Sequence, residues 1–206
     1  MTGSSENRTV AGVVLAAGKS RRARPANKLL HAVDGKPMVR RVTETALAAG
    51  LAPVVVVTGF EADKVEAALA GLDVAFVHND GFADGMGGSI GRGIAALPPG
   101  AAAAAILLGD MPEVTPATVA ALAAAFDAAA GNTICVPVAD GRRGNPVLFG
   151  RAHFAALAAI RGDRGGRAIV VANPANVVEV AVRDAGVLAD YDTVPDGDAG
   201  SGVKGR

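Results

Sequence analysis

Short β-branched runs recur along this chain, separated by Ala- and Leu-rich stretches, and that alternation leaves few folds open. Apolar runs at 10–15, 54–58, 74–77, 104–108, 134–138 and 177–182 have the length and branching of strands. Between them, 37–49, 62–70, 89–96, 116–129, 152–160 and 166–172 read as helices. Parallel strands need a crossover, usually helical, and strands covered by helices on both faces are apolar throughout rather than alternating. The expected fold class is α/β: a Rossmann-like three-layer α/β/α arrangement with a mostly parallel sheet. Thr115-Pro116 marks a helix start, a capping hydroxyl followed by proline. Gly50, Gly71 and Gly131 each follow a helical run, where a glycine stop is expected.

With 206 residues, half of them hydrophobic and 19% charged, the chain suits one domain with a sizeable core. Aromatics are only 3%, so that core must come from Val, Leu, Ile and Ala. A formal net charge of zero gives no reason to expect nucleic acid or an anionic membrane as a partner. The polar start of the chain does not read as a secretory signal, and the longest apolar stretch, 101–108, is too short to span a bilayer. A cytoplasmic location is the expectation. The single cysteine, Cys135, excludes an internal disulfide and reads as a small buried hydrophobe. His31, His78 and His153 show no metal-ligand spacing and are expected in loops or at the surface.

The first strand runs into Leu15-Ala16-Ala17-Gly18-Lys19-Ser20-Arg21-Arg22, then Lys28. Small residues at such a turn let backbone N–H groups approach an anion, and the cations that follow would offset a triphosphate. Two familiar phosphate-binding patterns fail. The P-loop lacks its upstream glycine, since position 13 is Val, and the glycines of the dinucleotide fingerprint are missing. The second of these absences argues against a Rossmann-like oxidoreductase.

This stretch, with Lys28-Leu29-Leu30, resembles the signature of the molybdenum-cofactor nucleotidyltransferases. The resemblance continues through Asp84-Gly85-Met86-Gly87-Gly88-Ser89, Gly109-Asp110-Met111-Pro112, Gly144-Asn145-Pro146, Gly162-Asp163-Arg164-Gly165-Gly166-Arg167 and Asp190-Tyr191-Asp192-Thr193. The chain departs from it at Ala23 and Arg24, where the family has an aromatic residue or Met and then Gly. The resemblance implies one nucleotidyltransferase domain over 10–196; the polar start at 1–9 and the Gly-, Asp- and Ser-rich end at 197–206 are expected to be disordered tails.

It also implies roles. Leu15, Ala16, Ala17, Gly18, Ser20, Arg22, Lys28 and Asp110 would bind the nucleotide, with Gly18, Ser20, Arg22 and Lys28 at its phosphates, while Gly85 and Ser89 would lie near the base, Ser89 alternatively capping a helix. Asp110 and Asp192 would hold Mg²⁺, and Arg22, Lys28 and Asp110 would be catalytic. Asn145, Pro146, Gly165 and Arg167 would border the acceptor, with a helix N-terminus near Gly165 available to a phosphate.

The implied activity is transfer of a nucleoside monophosphate from an NTP to a small phosphorylated acceptor, by attack on the α-phosphorus with loss of pyrophosphate. Ala16-Ala17-Gly18 resembles the cytidylyl branch, which favours CTP with molybdopterin as acceptor and a molybdoenzyme or its chaperone as a transient partner. A guanylyltransferase, a transferase acting on another phosphorylated acceptor, and a non-catalytic nucleotide-binding relative stand as alternatives.

Overall fold

The computed structural model describes residues 9–19, 27–127 and 130–190. Ser20, Arg22 and Asp192 of the expected site, and the expected tail at 197–206, lie outside those residues.

In chain order the elements are β1 (Thr9–Ala16), the hairpin β2 (Ala32–Val33) and β3 (Lys36–Pro37), α1 (Met38–Ala48), β4 (Val54–Thr58) and α2 (Ala62–Ala68). Then come β5 (Ala75–His78), α3 (Met86–Ala95), β6 (Ala101–Leu108), α4 (Pro116–Ala125), β7 (Ile134–Ala139) and β8 (Arg142–Arg143). The chain continues with β9 (Val147–Gly150), α5 (Phe154–Ala158), α6 (Arg167–Ala172) and β10 (Val177–Ala181). An eight-stranded sheet has the order β10-β7-β9-β6-β1-β4-β5, with β8 beside β7. β9 runs antiparallel to both its neighbours, β8 runs antiparallel to β7, and the other pairings are parallel. The α/β class and the mostly parallel sheet are therefore as the periodicity implied.

Alternation along the central strands sorts the core into two layers. Val14, Ala16, Val56 and Leu107 face one side with Val39 and Val42 of α1 and Leu122 of α4. Val13, Leu15, Val57 and Ile106 face the other with Ile90 and Ile94 of α3 and Leu157 of α5. α1 shows why such a segment is helical: Met38, Val39, Val42 and Ala46 make a buried stripe, and Arg40 pairs with Glu44 one turn on, Nε to Oε1 at 2.9 Å. Cys135 is buried, and burial pushes its thiol up to about 11.

Several expectations are corrected. The strands at 74–77 and 177–182 are not covered on both faces: β5 and β10 form the two edges of the sheet and are largely exposed. β6 begins at Ala101, three residues before the strand start expected at 104. β1 begins at Thr9, one residue inside the expected tail. Gly50 and Gly71 have the positive φ of helix stops, but α4 ends at Ala125, well before Gly131. His153 is buried, its Nε2 2.7 Å from the Asn132 carbonyl oxygen. Among the described residues no helix is long and apolar enough to cross a membrane.

Asp184 ties the end of the described chain to the start of α4. Its Oδ2 accepts from the Thr115 N–H (2.9 Å), Thr115 Oγ1 (2.9 Å) and Thr118 Oγ1 (2.6 Å), and its Oδ1 from the Gly186 N–H (3.0 Å). Partial burial alone would raise this carboxyl, but the hydrogen bonds from Thr118, Thr115 and Gly186 outweigh it and hold it below the ordinary carboxylate range. A depressed folded-state pKa stabilises above the unfolded value near 3.9, and that contribution is lost as pH falls through the folded value. Asp184→Asn should therefore cost about 1–2 kcal/mol at pH 7, and the difference from wild type should shrink below about pH 4. Thermal unfolding across that range checks it; a constant difference would show that the charge is irrelevant.

Candidate active site

β1 and β6 lie side by side in register, Leu15 opposite Leu108, so both strands deliver their following residues to one cleft. This is the carboxyl edge of the parallel strands, where open α/β sheets bind ligands. The Gly109 N–H donates to the Leu15 carbonyl at 3.0 Å, carrying the ladder one step past the strand end. A Cβ on Gly109 would stand 2.8 Å from that oxygen, so glycine is what lets Asp110 begin so close to the β1 exit.

A cavity of about 280 Å³ opens there, near the lower end of the range for small-ligand sites. One wall is Leu15, Ala17, Gly18 and Lys19 from the β1 exit, with Lys28, Leu29 and Leu108 to Asp110 beside it. The facing wall is Phe82, Ala83, Gly85, Met86, Ser89 and Asp163. Of the expected nucleotide-binding residues, Ala16 turns its side chain into the core on the α1 side.

Lys28 owes its position to its neighbours. It opens a 3₁₀ turn, Lys28–Leu30, in which Asn27 Oδ1 accepts the Leu29 N–H at 3.1 Å. Asn27 is itself buried and donates through Nδ2 to the Phe60 carbonyl, while Leu29 is sunk in the core. Lys28 Nζ thereby meets Asp110 Oδ2 at 2.7 Å across 82 residues of chain, with both side chains mostly buried. Within hydrogen-bond distance of each other, the two neutralise a pair of charges that would be costly to bury singly.

Asn79 builds the facing wall. It is buried just past β5, where its Oδ1 accepts the Gly81 N–H, its carbonyl accepts the Phe82 N–H, and its Nδ2 donates to Ser89 Oγ at 3.0 Å. Ser89 is thus not a helix cap. α3 starts at Met86 with Gly85 as its N-cap residue, and Ser89 sits one turn in, its hydroxyl engaged by Asn79. Gly85 adopts φ +116°, and a Cβ there would lie 2.3 Å from the Gly162 carbonyl carbon. The glycines of this segment therefore also serve to dock α3 on residues 160–163, an arrangement fastened by the Gly87 N–H on the Gly162 carbonyl. Sequence reasoning missed Asn27, Asn79, Phe82 and Asp163. The visible signal for Asn79 was an Asn-Asp-Gly turn directly after a strand.

The expected acceptor residues are more scattered. None of Asn145, Pro146, Gly165 and Arg167 lines the cavity. Asn145 spends its N–H on the Val187 carbonyl, and Pro146 packs near Leu108 and Met111 on the α1 side of the sheet. Gly165 approaches the facing wall through Met86, and Arg167 is the exposed first residue of the six-residue α6. Gly166 before it abuts the Phe149 ring, so the start of that short helix is packed rather than open.

Asp110 offers carboxylate oxygen at the mouth of the cavity, a donor suited to a hard divalent cation that completes its shell with substrate phosphates. Among the described residues no cluster of three His, Cys, Asp or Glu side chains could hold a metal by itself.

Residues 12–202 match the model of the MobA-like NTP transferase domain. A nucleotidyl transferase from Methanothermobacter superposes with a TM-score of 0.79 at 26% identity, covering 90% of this chain and 92% of that one. Rv0371c of Mycobacterium tuberculosis H37Rv superposes with a TM-score of 0.74 at 30% identity, over 84% and 88% of the two chains. That same protein is also known as a complex with manganese, where the TM-score is 0.69. The bifunctional protein GlmU of Allorhizobium ampelinum is 38% identical over 134 residues, 63% of this chain, and the match spans only 29% of the GlmU length.

Replacing Asn79 tests the facing wall. Asn79→Ala strands the Gly81 N–H and the Ser89 hydroxyl in a buried setting, which should cost about 1–3 kcal/mol in urea unfolding. A variant as stable as wild type would show that these hydrogen bonds do not hold the wall.

Proposed function

The chain belongs to the family of MobA-like NTP transferase domains, and from that premise we propose that it transfers CMP from CTP to molybdopterin, releasing pyrophosphate. The observation that carries the nucleotidyl-transfer chemistry is the Lys28–Asp110 pair, a cation and a carboxylate at 2.7 Å in the cavity that the Gly18 turn helps to form. CTP and molybdopterin rest on the resemblance of Leu15-Ala16-Ala17-Gly18 and the later motifs to the cytidylyl branch.

In this reading the turn at Ala17-Gly18 presents backbone N–H groups to the triphosphate. Lys28 exchanges its carboxylate partner for a phosphate oxygen, and Arg22 adds a second cation. Asp110, with Asp192, holds a divalent cation, Mg²⁺ in this proposal; Rv0371c, known as a complex with manganese, is a parallel. When bound, that ion supplies charge neutralisation and orientation for the phosphates. The acceptor's phosphate is already anionic near neutral pH, so no side chain has to remove a proton from it. What remains for the protein is positioning and electrostatic stabilisation. Asn145, Pro146, Gly165 and Arg167 are proposed on the acceptor side, with Gly85 and Ser89 on the base side. A molybdoenzyme or its chaperone would then receive the product.

A second reading, a sugar phosphate as acceptor, is motivated by the relatives named GlmU. Pyrophosphate release measured with Mg²⁺, each of CTP, GTP, ATP and UTP, and either molybdopterin or a panel of sugar phosphates separates the two. Release with CTP and molybdopterin alone is expected; release with a sugar phosphate alone would replace the first reading by the second. Asp110→Ala and Lys28→Met should each lower turnover by about 100- to 1,000-fold while unfolding cooperatively. Undiminished turnover in Asp110→Ala would remove it from the site.

A further inference from the structure

We infer that Lys19 is a further phosphate-binding residue of this site, and that Phe82 is the positioning residue that holds it ready. The inference rests on the reading that a nucleoside triphosphate occupies the cavity; it singles out Lys19 from the cations after the Gly18 turn and adds Phe82, which no motif names.

Two lysines line the cavity, and they are in different situations. Lys28 is engaged with Asp110 at 2.7 Å. Lys19 Nζ instead sits 5.2 Å from the centroid of the Phe82 ring, and among the described residues no carboxylate pairs with it. A lysine side chain has four rotatable carbons and ordinarily disperses into solvent. A cation over an aromatic face within about 6 Å is held by the ring's quadrupole, without surrendering its charge. Lys19 is thereby kept on the cavity wall, one residue past the Gly18 turn, with its ammonium still available to an anion.

The ring that receives it is itself fixed at several points. The Phe82 N–H donates to the Asn79 carbonyl at 3.1 Å, and the buried Asn79 side chain closes the turn beneath it. Phe60 packs against Phe82 with ring centroids 6.5 Å apart and planes inclined at 50°. The Phe60 N–H donates in turn to the Ala17 carbonyl at 3.2 Å. The support therefore returns to the loop it serves: Ala17 holds Phe60, Phe60 backs Phe82, and Phe82 holds Lys19. A cation ordered before the ligand arrives loses less freedom on binding, so Phe82 strengthens phosphate binding without touching a phosphate.

The test is a double-mutant cycle read by calorimetric titration of the magnesium salts of CTP, GTP, ATP and UTP into wild type, Lys19→Gln, Phe82→Leu and the double variant. For the tightest-binding nucleotide, each single change should weaken affinity by about three- to tenfold. The double variant should be no weaker than Lys19→Gln, because Phe82 acts only through Lys19. Phe82→Tyr, which keeps the ring face, should bind like wild type. Losses that multiply in the double variant would overturn the proposal and make Phe82 a direct nucleotide contact. An unchanged affinity in Lys19→Gln would overturn it outright, even if Phe82→Leu melts early, since that change removes only a charge at a partly exposed position. Wild type binding none of the four nucleotides would sink the nucleotide reading itself, an outcome distinct from either pattern in the cycle.

Discussion

The parallel pairing of β1 with β6, extended by the Gly109 N–H on the Leu15 carbonyl, is the contact on which the rest of the site depends. It brings together two segments more than ninety positions apart and ends them at one level. A one-residue slip would turn one of the two strands over, sending either Leu15 or Ile106 from the α3 side to the α1 side of the sheet and mixing the two core layers. The hydrophobic pattern that sets the register therefore also sets where Asp110 stands relative to the Gly18 turn. Packing and chemistry are specified by the same pairing.

Around that pairing the loops are held by polar side chains, Asn27 and Asn79 buried and Asp184 partly so. Asn27 fixes the turn carrying Lys28, Asn79 fixes the wall carrying Phe82 and Ser89, and Asp184 fastens the end of the described chain to the start of α4. Each satisfies backbone donors of a turn or a helix start, which a leucine could not do. With aromatics at 3% of the chain, Phe60 and Phe82 stand out by lying together beside the cavity. The Lys28–Asp110 pair sets a cation and a carboxylate against each other on the cavity wall, so that neither charge is buried alone.

The departures from the expected fold have a common physical origin. β5 and β10 have apolar sequences yet lie exposed, because the edge of a sheet has no neighbouring strand and only partial helix cover. β9 reverses direction between β6 and β7. It is only four residues long, and nothing local in Val147–Gly150 encodes an antiparallel partner. Asn145 and Pro146, proposed on the acceptor side, sit just before this reversed strand, so their placement follows from a pairing that periodicity cannot express.

Local pattern was enough to determine the α/β class, the six parallel strands to within a few residues, and the small-residue turn and Gly-Asp strand end that flank the cavity. Those features were legible because each is a short-range property: branching, apolar length, a helix start at Thr115-Pro116, a loop with no side chains in the way. Which residues meet was decided by the tertiary structure. Lys28 reaches Asp110 across 82 positions. Ser89 gives its hydroxyl to Asn79 rather than to a helix end. Gly85 is required by the backbone of Gly162, and Lys19 rests on Phe82. Each of these depends on strand order and on the level at which strands end, quantities set by the burial of the whole sheet and carried by no single stretch of the chain.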